Sequence, residues 1–239
     1  YKNRVSNASF KLYPREVLVI TGLVGAGRSE LVESIIGARA CTGEVFIGGR
    51  PAVRRSVNAM MRQGIMLVPE GRKIQGIFPQ LSVCDNLAVS AMHRFCSAGV
   101  IRRRRLNREI SREIDEMRIK TPSARQLMRH LSGGNQQKVI IGRCMLAQPK
   151  VLILDEPTNG IDVGAKQEIY NQIDALAKQG VSVICISSEM AEVLKIADHV
   201  LVMHEGVITA ELVNDDDLNQ DIIMQHATSA VPRERANPA

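Results

Sequence analysis

The segment Val17-Leu-Val-Ile-Thr-Gly-Leu-Val-Gly-Ala-Gly-Arg-Ser29 begins with four aliphatic residues and then places three glycines within six positions. A short apolar run that ends in a glycine-rich turn is typical of a buried strand followed by a loop. Apolar residues at helical spacing follow directly, at Leu31, Val32, Ile35 and Ile36. The segment therefore predicts a strand, a glycine loop and a helix, which is the start of a βαβ unit.

The glycine loop matches the phosphate-binding pattern GxxxxGK[ST] at Gly22, Gly27 and Ser29. Glycines let the backbone wrap closely around an anion, and a helix N-terminus offers free N–H groups. Arg28 stands where the pattern has Lys. Arginine keeps the positive charge, but its guanidinium group is bulkier than the ammonium group of lysine. We expect phosphate binding, with a plain glycine-rich turn as the alternative. The predicted contact residues are Gly22, Leu23, Val24, Gly25, Ala26, Gly27, Arg28, Ser29 and Glu30.

Downstream, strand-like and helix-like segments alternate, which predicts an α/β fold with a mostly parallel sheet and helices on both faces. A hairpin edge is expected at 43–49. The predicted strands are 65–68, 151–154, 181–187 and 199–203, and the predicted helices are 135–146, 164–179 and 189–197.

The region from 76 to 131 differs in character, because strand-like runs disappear and Arg and Glu increase. We interpret it as a helical insertion in a discontinuous core made of residues 1–75 and 132–225. The polar segment 226–239 contains two prolines and is expected to be a disordered tail.

A run of four apolar residues leads into Asp155 and Glu156. Side chains at the carboxyl end of a parallel strand lie where α/β sheets place ligands. Asp155 could hold Mg²⁺ together with Ser29, and Glu156 is placed to polarise an attacking water. A strand that simply ends in solvated acids is the alternative.

Composition restricts the remaining possibilities. The five cysteines include no CxxC spacing, so zinc sites and disulfide frameworks are disfavoured. No apolar run approaches the roughly 20 residues of a membrane helix, and no secretory leader is expected. The chain begins with Tyr, and we expect it to be a fragment of a longer polypeptide.

The net charge of the chain is +6, and part of it lies in the block Arg102–Arg105. Aromatic residues make up only 3% of the sequence, which argues against a nucleic-acid partner.

The segment Leu131-Ser-Gly-Gly-Asn-Gln-Gln137 resembles the signature motif of ATP-binding cassette (ABC) ATPases. The order of glycine loop, helical insertion, LSGG and acidic strand is also theirs, so the resemblance implies a P-loop NTPase-type fold with an antiparallel β edge. The segments Gly25–Ser29, Asp155–Thr158, Gly160–Gly164 and Ser187–Met190 further resemble the C-terminal cassette of tandem-cassette sugar importers of the ribose, galactoside and xylose type.

The resemblance implies ATP and Mg²⁺ as ligands and two cassettes that close around each nucleotide. Ser132, Gly133 and Gly134 would cap the following helix and face the γ-phosphate held by the opposite cassette; a helix cap without further function is the alternative. Asp162 falls in the loop that crosses to the partner. The residues expected to contact nucleotide on this basis are Leu131, Ser132, Gly133, Gly134, Asn135, Gln136 and Asp162.

Three positions depart from the general ABC pattern, namely Arg28, Glu70 in place of Gln, and Glu189 in place of His. An ionised Glu189 cannot donate a hydrogen bond to a γ-phosphate and would repel it. We therefore expect a degenerate site of low activity, in which Glu156, Glu70 and Glu189 occupy the catalytic positions, while the intact LSGG completes the site of an N-terminal cassette. Tyr1 is the candidate for stacking on adenine.

In such importers the partners are membrane permease subunits and, indirectly, a periplasmic sugar-binding protein, which places the cassette on the cytoplasmic side of the bacterial inner membrane. The arginine block lies in the insertion that faces the permease in this family, near permease loops or lipid phosphates, or is simply a solvated face. Two other functions stay open, a non-catalytic regulatory cassette and an ABC ATPase that acts on nucleic acid or ribosomes.

Overall fold

A computed structural model describes residues 5–53, 56–71, 75–97 and 99–229. The strands are β1 Val17–Gly22, β2 Phe46–Ile47, β3 Arg50–Pro51, β4 Ile65–Val68, β5 Cys96–Ser97, β6 Val100–Ile101, β7 Val151–Asp155, β8 Ser182–Ile186, β9 His199–His204 and β10 Val207–Val213. The helices are α1 Arg28–Ile35, α2 Val57–Arg62, α3 Val83–Ala88, α4 Met92–Phe95, α5 Arg103–Glu116, α6 Gly133–Leu146, α7 Val163–Lys178, α8 Met190–Ile196 and α9 Gln220–Thr228.

Six strands form the main sheet in the order β10-β9-β1-β8-β7-β4. All neighbours pair in parallel except β9 and β10, which form an antiparallel pair at one edge. This confirms the predicted mostly parallel α/β sheet with an antiparallel edge. The carboxyl ends of β1, β7 and β8 lie side by side, and the segments that follow these strands therefore meet at one edge of the sheet.

Both faces of the sheet are covered. Val17 and Val19 point into a core with α6, α7 and α8, whereas Leu18 and Ile20 point into a second core with α1 and α2. A strand that is buried on both faces has an unbroken apolar sequence instead of an alternating one. This is the reason that β1 could be predicted from its sequence.

Helices α3, α4 and α5 follow β4 in the chain and precede α6. Buried hydrogen bonds connect this region to α6. Arg143 of α6 donates to the main-chain oxygens of Gly76 and Asn86, at 2.8 and 2.7 Å, and to the Asn86 side chain at 2.9 Å. Asn86 in turn donates to the main chain of Phe78 and Ser82. Both side chains are buried with their hydrogen bonds satisfied. They therefore fix the position of the segment after β4, and of α3, relative to α6.

The structure corrects several details of the sequence interpretation. The hairpin expected at 43–49 lies later, at β2 and β3, because the two residues between the strands, Gly48 and Gly49, form its turn. The region expected to lack strands contains the short hairpin β5–β6. The prediction of a disordered tail from residue 226 is wrong for residues 226–228, which complete α9. The Asn219 side chain caps this helix. Residues 230–239 lie outside the described residues.

Candidate nucleotide-binding site

The glycine loop joins β1 to α1 as the sequence predicted. Gly27 is the N-cap of α1 in a left-handed conformation, with φ of 94°, and no side chain caps the helix. The first N–H groups of a helix have no partner within it, so this N-terminus is a favourable place for an anion. Leu23 and Val24 at the loop tip are exposed. A Cβ on Gly22 would lie 2.2 Å from the main-chain oxygen of Met203 in β9, so only glycine fits there.

The acidic end of β7 faces this loop. Arg28 Nη1 lies 3.2 Å from Glu156 Oε1, and both side chains are about nine-tenths buried. Glu156 adopts φ of 46°, a left-handed conformation that a non-glycine residue adopts at a cost of about 1–3 kcal/mol. Strain of this kind is concentrated at functional sites, which supports a role for Glu156 beyond ending a strand.

Buried polar atoms without a hydrogen-bond partner concentrate at the same edge. Among the described residues there are four such side-chain atoms, and three of them are Thr21 Oγ1, Arg28 Nη1 and Asp155 Oδ1. Arg28 Nη1 is close enough to Glu156 for an ion pair, but the two groups are not aligned for a hydrogen bond. A buried polar group without a partner is costly, and a polar ligand at this edge would offset that cost.

Asp155 has an unusual acidity. The pKa of its carboxyl is raised to about 6, mainly by burial and also by the negative charges of Glu70 and Glu156, against the opposing effects of the hydrogen bond with Ser29 and the charge of Arg28. A carboxylate oxygen without a partner beside a serine hydroxyl is a pair of hard oxygen donors, and Mg²⁺ prefers such ligands. The residues present therefore fit Mg²⁺, with Ser29 and Asp155 as the groups that would hold it.

The other two acidic candidates lie in different surroundings. Glu70 is exposed and accepts a hydrogen bond from Asn159 Nδ2 at 3.4 Å, and its charge still acts on Asp155. Glu189 is the N-cap residue of α8, and its carboxylate pairs with the ammonium of Lys166 in α7. The structure thus brings Arg28, Ser29, Glu70, Asp155 and Glu156 together, whereas Glu189 is engaged by a neighbouring helix.

A buried carboxylate that the sequence analysis missed lies behind this edge. Glu192 in α8 is 1% exposed and accepts hydrogen bonds from Thr158 Oγ1, at 3.1 Å, and from Ser187. Burial raises the pKa of Glu192. The contact links the segment after β7 to the segment after β8. In the sequence, only the position of Thr158 two residues after Glu156 could have drawn attention to it.

The LSGG segment forms the N-terminus of α6. Ser132 is its N-cap residue and is exposed, and its hydroxyl accepts from the N–H of Asn135 and from Asn135 Nδ2, the latter at 2.9 Å. A Cβ on Gly134 would lie 2.6 Å from Ala165 Cβ, so α6 and α7 approach closely here. Gln136 is buried and donates to the main-chain oxygens of Met128 and Leu131, which makes it a structural residue of this turn.

Asp162 is the N-cap residue of α7 and accepts from the N–H of Ala165 at 3.0 Å. It therefore lies on the same side of the molecule as Gly134, which contacts Ala165. Gly133 is half-buried at the start of α6. Tyr1, the candidate for stacking on adenine, lies outside the described residues.

Comparison with known proteins agrees with this geometry. A family model described as ABC transporter matches residues 5–159. The chain is 47% identical over 228 residues to the xylose import ATP-binding protein XylG of Photobacterium profundum, and it is 42% identical over 228 residues to a putative ribose/galactose/methyl galactoside import ATP-binding protein of Geobacillus kaustophilus. Each match covers 95% of this chain and 45% of the relative.

The fold has been observed before. A dimeric ATP-binding cassette in a post-hydrolysis state with ADP and phosphate superimposes with a TM-score of 0.76 at 18% identity, over 88% of this chain and 90% of that one. The chain spans about half the length of the curated relatives it matches. No helix within the described ranges has the length and apolar character needed to cross a bilayer. The glycine loop, the acidic strand end and the family match together establish that the chain belongs to the ABC transporter family of ATP-binding domains.

Proposed function

We propose that this chain is the C-terminal cassette of a tandem-cassette sugar import ATPase, that it binds Mg-ATP at the glycine loop, and that its own site hydrolyses ATP poorly. The observation that supports the nucleotide site most strongly is the convergence of an uncapped helix N-terminus with three buried polar atoms that have no hydrogen-bond partner, on Thr21, Arg28 and Asp155. A triphosphate with its metal ion supplies the oxygens and the charge that such an edge lacks.

Each residue has a distinct part in this proposal. The N–H groups at the start of α1 and the Arg28 guanidinium bind phosphate oxygens, and Ser29 and Asp155 hold Mg²⁺, which neutralises charge on the phosphates. Glu156 orients and polarises the attacking water. Glu192 holds Thr158 and Ser187 in place, and it thereby fixes the positions of the segments that carry Glu156 and Glu189.

Low activity is inferred from the ion pair between Arg28 and Glu156. A guanidinium 3.2 Å from the carboxylate neutralises the charge that would attract a proton from water. An arginine fork also binds a carboxylate more specifically than a lysine ammonium does. Glu189 stands where the family resemblance implies a donor to the γ-phosphate, and a carboxylate that is paired with Lys166 cannot donate a hydrogen bond.

The second part of the proposal is asymmetry between two cassettes. Ser132 is exposed at an intact helix cap, and we infer that it faces the γ-phosphate bound by an N-terminal cassette of the same polypeptide, with Asp162 at the shared interface. The length of the curated relatives, about twice that of this chain, supports the fused arrangement. Their names as sugar import proteins support permease subunits and a sugar-binding protein as partners, and a peripheral position on the cytoplasmic side of the inner membrane.

Calorimetry and turnover measurements on this chain and on the complete polypeptide test the proposal. We expect the chain to bind Mg-ATP at millimolar concentration and to turn it over slowly. Arg28→Lys should raise its turnover about tenfold, if the ion pair is worth about 1.4 kcal/mol to the barrier. Arg39→Lys is the matched control, because Arg39 pairs with Glu33 on the exposed surface at the other end of α1.

Two results would separate the parts of the proposal. A lack of any heat of binding would remove the nucleotide site itself. Turnover typical of competent cassettes, abolished by Glu156→Gln, would leave the nucleotide site in place and refute its low activity. In that second case the alternative of a non-catalytic regulatory cassette would also be excluded.

A further inference from the structure

A strongly basic surface lies on α5 and the hairpin before it, in the part of the chain between β4 and α6. The basic patch is defined here by Val100, Ile101, Arg102, Arg103, Arg104, Arg105, Arg108 and Arg112. Six arginines and one carboxylate residue, Glu109, lie between Gly99 and Arg112. All six arginines are exposed, so the patch is a surface and not part of the core.

The arginines are organised by the helix. Arg104, Arg108 and Arg112 recur every four residues and lie on one face of α5 as a continuous stripe. Leu106 and Ile110 occupy the opposite, buried face. The stripe therefore points directly away from the protein, in the direction from which a partner would approach.

Most of this charge is not neutralised within the protein. Arg112 pairs with Glu116 at 2.7 Å, but no carboxylate lies within ion-pair distance of the other five arginines in the described ranges. Arg105 lies 5.9 Å from the centre of the Phe95 ring. Asp115 is exposed near the C-terminal end of the helix, so it adds negative charge there and leaves the stripe unbalanced at the N-terminal end.

The position of the arginines is unfavourable for the helix itself. Cations are destabilising near a helix N-terminus, where the dipole is positive. The first turn of α5 carries no acidic residue, and its N-cap residue, Arg102, makes no side-chain cap hydrogen bond. A sequence chosen only for solubility would place acids here, and such a local conflict is expected where a surface serves another purpose.

Two exposed aliphatic side chains adjoin the charge. Val100 is 69% exposed and Ile101 is 38% exposed at the second strand of the β5–β6 hairpin. A hydrogen bond from Arg102 N to Phe95 O at 2.8 Å joins the N-cap residue of α5 to the last residue of α4, at the base of the hairpin. Aliphatic residues beside arginines are typical of segments that lie at a membrane surface. Single-stranded nucleic acid would require exposed aromatic rings, and Phe95 is only 1% exposed.

We propose that the basic patch binds a bilayer surface directly, with the arginines on the phosphates of anionic lipids and with Val100 and Ile101 entering the interfacial layer. The contact would give the domain an attachment to the membrane in addition to any protein subunit. It does not depend on nucleotide, so a failure of the proposed ATP chemistry would leave it intact.

Flotation with lipid vesicles tests the proposal, on this chain without nucleotide and at low salt. We expect binding to vesicles of equal parts phosphatidylglycerol and phosphatidylcholine, and none to phosphatidylcholine alone. Each unpaired arginine near an anionic surface contributes about fivefold to partitioning, so the triple variant Arg103→Gln, Arg104→Gln, Arg108→Gln should bind about 100-fold more weakly. The matched control changes three exposed cations elsewhere, Lys11→Gln, Arg50→Gln and Lys178→Gln.

A second variant separates lipid insertion from simple charge attraction. Val100→Ser with Ile101→Ser should weaken vesicle binding at least about fivefold, because burial of aliphatic surface is lost, and it should not alter binding to an oligonucleotide. Equal loss in the control triple variant would overturn the proposal. Binding to a duplex or single-stranded oligonucleotide that is tighter than binding to anionic vesicles would overturn it in favour of a nucleic-acid surface.

Discussion

The N-termini of α1 and α6 are both expected to face phosphate, but they are built in opposite ways. At α1, Gly27 leaves the helix uncapped, and polar atoms on Arg28 and Asp155 have no hydrogen-bond partner. At α6, Ser132 caps the helix and Asn135 donates to its hydroxyl. The first end is incomplete without a ligand, whereas the second is already satisfied.

The difference indicates how the two ends bind. An end whose polar atoms lack partners loses stability in the free protein and recovers it when a ligand supplies the missing contacts. A helix N-terminus whose polar groups already have hydrogen-bond partners can be exposed without this loss of stability. It can therefore contact a ligand that is bound by another domain. This matches the proposed division between the domain's own nucleotide and the one held by its partner.

The largest effect is expected from Gly22→Ala, which tests how closely the loop before α1 is packed. The new methyl group would lie 2.2 Å from the main-chain oxygen of Met203, so β1 and β9 would have to separate. We expect a loss of about 4 kcal/mol in the free energy of unfolding, measured by urea denaturation. Gly48→Ala is the control, because nothing lies within 4 Å of its Cβ position; an equal loss there would show that strain and not contact is responsible.

Gly134→Ala makes the corresponding test at α6. Its methyl group would lie 2.6 Å from Ala165 Cβ in α7, and we expect a loss of about 3 kcal/mol. Because the obstacle is a side chain, Ala165→Gly should recover about 2 kcal/mol in the double variant. Gly164→Ala, also in the first turn of a helix, should be nearly neutral. A double variant no more stable than Gly134→Ala alone would contradict the contact.

Asp155→Asn tests whether the α1 end is destabilised without a ligand. The pKa of Asp155 is about 6 in the folded chain, above that of an aspartate in an unfolded chain, so the folded state binds the proton more tightly. The free energy of unfolding should therefore fall as the pH rises from about 4 to about 6, and it should stay low above that range. Asn cannot ionise, so the variant should be more stable than the parent by about 2 kcal/mol at about pH 8.

The measurement for Asp155→Asn is urea denaturation of both proteins at about pH 4.5 and about pH 8 without Mg²⁺. The difference in unfolding free energy between the two proteins at each pH separates the effect of Asp155 from that of other buried acids. One of these is Glu113, where burial raises the pKa to about 8. Adding millimolar Mg²⁺ should stabilise the parent and leave the variant unchanged. A pH dependence that is the same in both proteins would show that Asp155 does not carry the cost.

The sequence allowed the α1 end to be predicted well because its parts obey short-range rules. Strand β1 is apolar throughout, the glycines follow it, and the carboxyl ends of parallel strands meet, so Arg28, Ser29, Asp155 and Glu156 could be placed together. The fold class followed from the same alternation of strands and helices.

The contacts that could not be predicted join residues far apart in the chain. The pairing of Glu189 with Lys166 depends on how α7 packs on α8, and nothing in either segment indicates it. Lys138 has the sequence character of a solvated residue, yet it is 2% exposed and donates to Glu168 at 2.5 Å. Helix α3 was missed because it is only six residues long, and its buried Asn86 is held by Arg143 of α6.

The smallest effect on stability, and the sharpest test of the comparison, is expected from Ser132→Ala. Loss of the cap should cost about 1 kcal/mol in the free energy of unfolding. Mg-ATP binding by this chain should stay the same, since we propose that Ser132 contacts the nucleotide of another domain. In the complete polypeptide the same change should lower ATP turnover severely. Ser56→Ala removes a comparable cap from α2, whose Ser56 hydroxyl accepts from the N–H of Ala59, so it should match the loss of stability and leave turnover intact. Equal turnover in the two variants would show that Ser132 is an ordinary helix cap. A loss of Mg-ATP binding by the isolated Ser132→Ala chain would show that the N-termini of α1 and α6 contact the same nucleotide.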